Sequence, residues 1–349
     1  MKALRILFHI ARADFYERSR RSSFLITLAV MIYIAYAYLP PVNSAGVTFN
    51  LGGYRGIYNS AWVGAVIAVL CSAILSLPGF FLIKNTIERD NETKVGQILA
   101  TTPISRVQYI LGKMFSNFVF LSVMVIVIMA AGLVMQVVRG ESSHIDLWNF
   151  ASPFIFTTFP VMALVSAVAI LFETISWLRQ GFGNIAYFFI YLGISMASIF
   201  PAMPTGNSSV YRVIPDPFGL TALAADMSRD VKAVFPDYSG GLVIGYSPLQ
   251  DSVKVFEWDG VAWDGTILSH RLLWFVISIG IVLAATVFFH RFDPAMERRK
   301  SKKETKQSQV KQADALAAGT AVLSAEVRLT PLTSKTTNPL SLFIRTLVA

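Results

Sequence analysis

The chain has 349 residues, 54% hydrophobic and only 15% charged, with a mean hydropathy of +0.56. Soluble domains carry about a quarter charged residues, so water is a poor solvent for most of this sequence. A single cysteine, Cys71, excludes an intramolecular disulfide and a cysteine-built metal site, and the four histidines (His9, His144, His270 and His290) show no ligand spacing.

Residues 1–22 place Leu4, Leu7, Phe8, Ala11 and Phe15 on one helical face, with Arg5, His9 and Arg12 elsewhere around it. That pattern predicts a helix lying in the membrane interface. A cleaved signal peptide does not fit, because over twenty residues precede the first apolar run and no small-residue cleavage site follows it.

Six nearly uncharged runs follow, at about 23–39, 61–83, 115–138, 151–172, 182–200 and 272–289. At about 1.5 Å per residue, runs of this size cross a hydrocarbon core of about 30 Å as helices. Lipid offers no partner for an exposed backbone amide, which demands helices or a closed barrel. A barrel is excluded by pattern: Val123 to Ala131 is apolar without alternation. Pro78 in the second run and Pro160 in the fourth predict bends, whereas Pro153 sits near a helix start. Glu173, at the end of the fourth run, reads either as a headgroup-level carboxylate paired with Arg179 or as an intramembrane ion-coupling group. The expected fold class is an all-α polytopic membrane protein, with a six-helix transmembrane domain over 23–291.

Three polar segments lie between or after the spans. Residues 84–113 are too long for a tight turn and too short for a domain. Charges cluster from Glu88 to Lys94, and an apolar stripe (Ile104, Val107, Ile110, Leu111) predicts a second helix. Thr102 or Ser105 would cap that helix, and Pro103 suits its first turn. Two short helices meeting at an angle are expected, forming either an ordinary polar loop or a docking surface. In 201–271, the spacing of Leu220, Leu223, Met227, Val231 and Val234 predicts a short amphipathic helix ended by Pro236. Tyr246, Phe256, Trp258 and Trp263 are expected in an aromatic belt. Gly52 to Gly56 reads as a glycine-rich turn. The tail, 292–349, is expected to be partly disordered. Its abruptly apolar end points to one part of a longer or split system.

Six spans put both termini on one side. That side holds 23 of the 30 basic and 11 of the 21 acidic residues, a net of +12, against −3 opposite. Arg18, Arg20, Arg21, Lys84, Lys113, Arg179 and Arg291 border spans there. The positive-inside rule makes it the cytoplasmic side. The basic charge therefore sets orientation and meets anionic lipid headgroups, and the run from Arg298 to Lys303 is not read as a nucleic-acid surface.

Motifs of chemistry are missing from the sequence. It has no phosphate loop of the form GxxxxGK[ST], no HExxH, no CxxC and no GxSxG. No catalytic, cofactor-binding or metal site is expected. Ionisable residues are scarce in the spans, which disfavours coupling to an ion gradient. Energy for any uphill transport would come from a partner that hydrolyses ATP, with 84–113 as the contact.

The segment Glu88…Glu92…Gly96-Gln97-Ile98-Leu99…Thr102-Pro103-Ile104-Ser105-Arg106…Leu111-Gly112-Lys113 resembles the charged loop of ABC-2 type ABC transporter permeases. The basic N-terminal helix and Arg291-Phe292-Asp293 after the last span are similar too. The resemblance covers residues 1 to about 295. It implies a permease paired with a second permease domain above two cytoplasmic ATP-binding subunits, in a bacterial or archaeal plasma membrane. The 84–113 loop would be the coupling element. Glu88 and Glu92 would enter the ATPase cleft, with Gly96 and Gly112 part of the same motif, Pro103 would set the turn, and Arg106 and Lys113 would anchor near headgroups. The long 201–271 segment and the tail depart from the family's minimal pattern. Rival readings are a non-transporting scaffold or sensor-associated subunit, and a membrane enzyme acting on lipid.

Overall fold

The computed structural model describes residues 2–102, 104–179, 181–202, 216–248 and 253–289. Pro103, Arg291 to Asp293 and the 292–349 tail lie outside them.

The described chain is mostly helical. Helix α1 (Lys2–Ser19) leads into α2 (Ser22–Ala37), which Pro40 and Pro41 follow. Next comes a hairpin of β1 (Gly46–Leu51) and β2 (Tyr54–Gly56). Helices α3 (Ser60–Ile74) and α4 (Ser76–Ile83) form one bent rod. Short helices α5 (Thr86–Glu92) and α6 (Val95–Thr101) lead to the long α7 (Arg106–Arg139). Helix α8 (Leu147–Pro153) runs through a π-helical turn, Phe154–Thr158, into α9 (Phe159–Thr174). Helix α10 (Gly181–Ile199), the amphipathic α11 (Leu220–Val234), strands β3 (Leu242–Pro248) and β4 (Lys254–Phe256), and α12 (Gly265–Phe288) complete the order.

Among the described residues, four helices are long and apolar enough to cross a membrane: α7, the α8–α9 rod, α10 and α12. The pair Ser60–Ile74 and Ser76–Glu92, bent by 51°, makes a fifth if it is one span. The run expected at 23–39 folds as a helix of 16 residues, about 24 Å long and short of a 30 Å core. Among the described residues the structure thus shows a mostly helical protein with four or five helices fit to cross a membrane; the first of the six expected runs is the shorter apolar helix α2.

The second span bends where its proline dictates. Pro78 has no N–H to offer the Ile74 carbonyl, and regular α-helix ends at that residue. Pro160 acts more gently. The π turn ahead of it absorbs the missing bond, and the rod continues to Thr174.

The all-α expectation is corrected by a four-stranded sheet in the order β3-β1-β2-β4, at the end of the bundle opposite α1. Gly52 and Gly53, at φ of +55° and +95°, make the two-residue turn that pairs Leu51 with Tyr54. β3 runs antiparallel to β1, and β4 runs parallel to β2. Trp62 packs edge-on to Phe49, Phe256 and Trp258, tying the sheet to the head of α3. Phe256 and Trp258 are therefore buried core residues and not members of an aromatic belt, though Tyr246 is exposed. Helix α11 turns Leu220, Leu223, Met227 and Val231 inward as its period predicts, while Val234 is exposed. Asp226 of the same helix is buried and accepts the Trp258 indole proton at 3.2 Å.

Candidate functional site

The 84–113 segment closes the basic end of the bundle. Asn85 and Lys94 adopt left-handed backbone, φ +69° and +61°, and each residue starts a new short helix. The chain thus breaks its regular helix before α5 and again before α6. Ser105, not Thr102, caps α7: its hydroxyl accepts the Gln108 amide proton, and the Gln108 side chain accepts from the Ser105 amide. Helix α7 starts nine residues before the expected span, so its first turns stand below the apolar run.

A buried polar cluster binds α5 to three neighbours. Lys113 of α7 donates to Asp14 of α1 at 3.1 Å and 3.2 Å and to Asp90 of α5 at 3.1 Å. The Tyr109 hydroxyl donates to Asp90 at 2.6 Å, and Ser116 donates to Asp14 at 2.9 Å. Arg18 of α1, itself buried, donates to Asn117 and to the Thr86 hydroxyl, each at 2.7 Å. From α9, the Glu173 carboxylate accepts the Ile87 amide proton. Around the rim, Arg89 meets Glu17 at 2.8 Å and Arg179 lies 3.8 Å from Glu88. Buried charges need this many partners, because an isolated one inside the protein is strongly unfavourable.

The predicted residues divide between core and surface. Lys113 and Gly112 are buried; the expectation that Lys113 anchors at headgroups is corrected, because its two carboxylate partners hold it inside. Glu88 is half-buried beside Arg179, Gly96 is buried, and Glu92 and Arg106 are exposed. Glu173 is fully buried. Its carboxylate serves α5, while Arg179 donates instead to its backbone carbonyl at 2.9 Å. Neither sequence reading of Glu173, as a headgroup-level partner of Arg179 or as an ion-coupling group, anticipates this amide-docking role. Next to this anchored part, α6 leaves Val95 and Ile98 41% and 67% exposed.

The opposite end has a second built ion pair. Arg55 of β2 grips Glu141 through two bonds, 2.6 Å and 3.1 Å, and the same carboxylate accepts the Tyr58 amide proton at 2.8 Å. The Arg55 guanidinium also lies 4.2 Å from the Tyr58 ring centre. Burial works against the Glu141 charge, but these hydrogen bonds and the adjacent cation prevail and hold its carboxyl below the ordinary value. Nothing in the glycine-rich run marked Arg55 as structural; its partner lies 86 positions away.

Among the described residues no group of three or more His, Cys, Asp or Glu side chains is placed to hold a metal ion. No protein-family model matches the chain, and no curated protein matches it.

Proposed function

We propose that this chain is the permease subunit of an ATP-driven ABC transporter of the ABC-2 type, acting as an exporter with cytoplasmic termini and with the short helix α2 as its sixth span. A separate ATP-binding subunit hydrolyses the nucleotide, and a second permease domain completes the pathway. The observation that carries this reading is the contrast within 84–113. Helix α5 is held by buried polar bonds to α1, α7 and α9, while α6 offers Val95 and Ile98 to a partner. A push on α6 thus reaches three membrane-associated helices through short, stiff links. Large apolar side chains on a polar loop suit a protein cleft better than water.

The test is affinity purification from native membranes with identification of bound partners. The expected partner contains a phosphate loop, and Ile98→Glu removes it while leaving membrane insertion intact. Wild-type protein that brings down no such partner, with Ile98→Glu behaving identically, overturns the proposal.

A further inference from the structure

The bundle is open on one side between α9 and α10. Leu164, Val165 and Val168 of α9 face Ile190 and Ile194 of α10 across a narrow slot that opens on the surface. Tyr187 and Ser76 form one end, and Pro217 and Phe218 form the other. From Tyr187 to Ile194 the slot runs about 10 Å along α10.

The polar groups at both ends already have partners. The Tyr187 hydroxyl donates to the Ser76 carbonyl at 2.8 Å. The carbonyls of Asp216 and Pro217 accept from Arg271 of α12 at 2.9 Å and 3.4 Å. Apart from the Tyr191 ring, the walls between are aliphatic. A water molecule needs two to four polar partners to stay in a cavity, and a polar solute entering here would lose its hydration without compensation. Outside the slot, α10 exposes Phe182, Ile185 and Phe189, the apolar surface a membrane-crossing helix turns toward lipid. The slot is continuous with the lipid-facing surface, and hydrocarbon is what lies against that surface.

We propose that the α9–α10 slot is a binding site for one acyl chain of a membrane lipid, entered sideways from the bilayer. The site requires only that these helices span the membrane, and it stands whether or not a partner ATPase exists.

The test uses the full chain in phosphatidylcholine vesicles doped with phosphatidylcholine that carries a diazirine in mid-acyl chain. After irradiation, adducts are mapped by mass spectrometry. Adducts concentrate on Val168 and on Ile190 to Ile194, several-fold above those on Leu272 and Val276 of α12, which face outward. Val165→Trp fills the slot and lowers these adducts several-fold, with the α12 adducts unchanged. Ile190→Trp fills it from the other wall and gives the same result if Val165→Trp fails to insert. Equal labelling of α10 and α12, or labelling indifferent to both fillings, overturns the site. So does a disulfide-linked dimer of Ile190→Cys, which would place a second copy over the mouth.

Discussion

The Glu173 carboxylate accepts the Ile87 amide proton at 2.6 Å, joining α9 to the first turn of α5 across 86 positions. Its other oxygen has no hydrogen-bond partner and is buried. Truncation to alanine strands the Ile87 N–H away from water, at a cost of about 1–3 kcal/mol. Glu173→Ala should therefore speed hydrogen exchange over 86–92, and Glu173→Gln, which retains an acceptor, should restore most of the protection. Exchange measured by mass spectrometry checks this; an unchanged rate in the alanine variant contradicts it.

Lys113 stands between two carboxylates. Lys113→Met leaves Asp14 and Asp90 facing each other with their shared cation gone. The expected loss is about 3–5 kcal/mol, the range for breaking a buried pair. Adding Asp90→Asn removes one uncompensated charge and should recover part of that loss. Thermal unfolding in detergent measures both steps, and additive losses in the double variant would refute the coupling.

Glu141 makes the sheet end sensitive to acid. Its folded-state pKa is depressed, so its contribution is fully present above the ordinary carboxylate value of about 4.3. It disappears as pH falls through the lower folded value. Glu141→Gln should lose about 1.5–3 kcal/mol at neutral pH, since Arg55 keeps one acceptor but no counter-charge. It should also flatten the stability profile below about pH 4. Unfolding midpoints at several pH values test the sign; a wild-type protein that gains stability on acidification would contradict it.

Much of the helical plan was readable because it is local. The period of Leu220 to Val231 predicts α11, and the start of α7 is narrowed to a cap at Thr102 or Ser105, of which the structure selects Ser105. The sheet was not readable, because β1 and β2 pair with strands near residues 242–256, almost two hundred positions later. Lys113 read as a surface anchor for a similar reason. Its sequence neighbours are a span and a loop, whereas Asp14 comes from a helix 99 positions away.

If the permease reading holds, charge reversal by Glu92→Lys, or Gly96→Phe on α6, should uncouple ATP hydrolysis from transport in the assembled complex. Insertion should be normal and transport should fall several-fold. Gly96 is buried, so the phenyl ring displaces α6 from its seat. Transport assays in reconstituted vesicles decide; full transport by both variants would refute the coupling role.

Orientation is open to a direct check. Cys71 is buried and should not react with an impermeant maleimide. Asn91→Cys should stay unlabelled in intact cells and react in inverted vesicles, while Tyr246→Cys should behave oppositely. Labelling of Asn91→Cys from outside reverses the topology.

Helix α7 has 34 residues and is thus a rod about 51 Å long. Its N-terminal end carries the residues that grip α1 and α5. At its C-terminal end Arg139 donates to the carbonyls of Tyr36 and Leu39 at the close of α2. A rod so fastened behaves as a seesaw: tilting it by about 5° about its middle swings each tip by ~2 Å, in opposite senses. A tilt that displaces the N-terminal tip would accordingly move the α2–β1 junction as well.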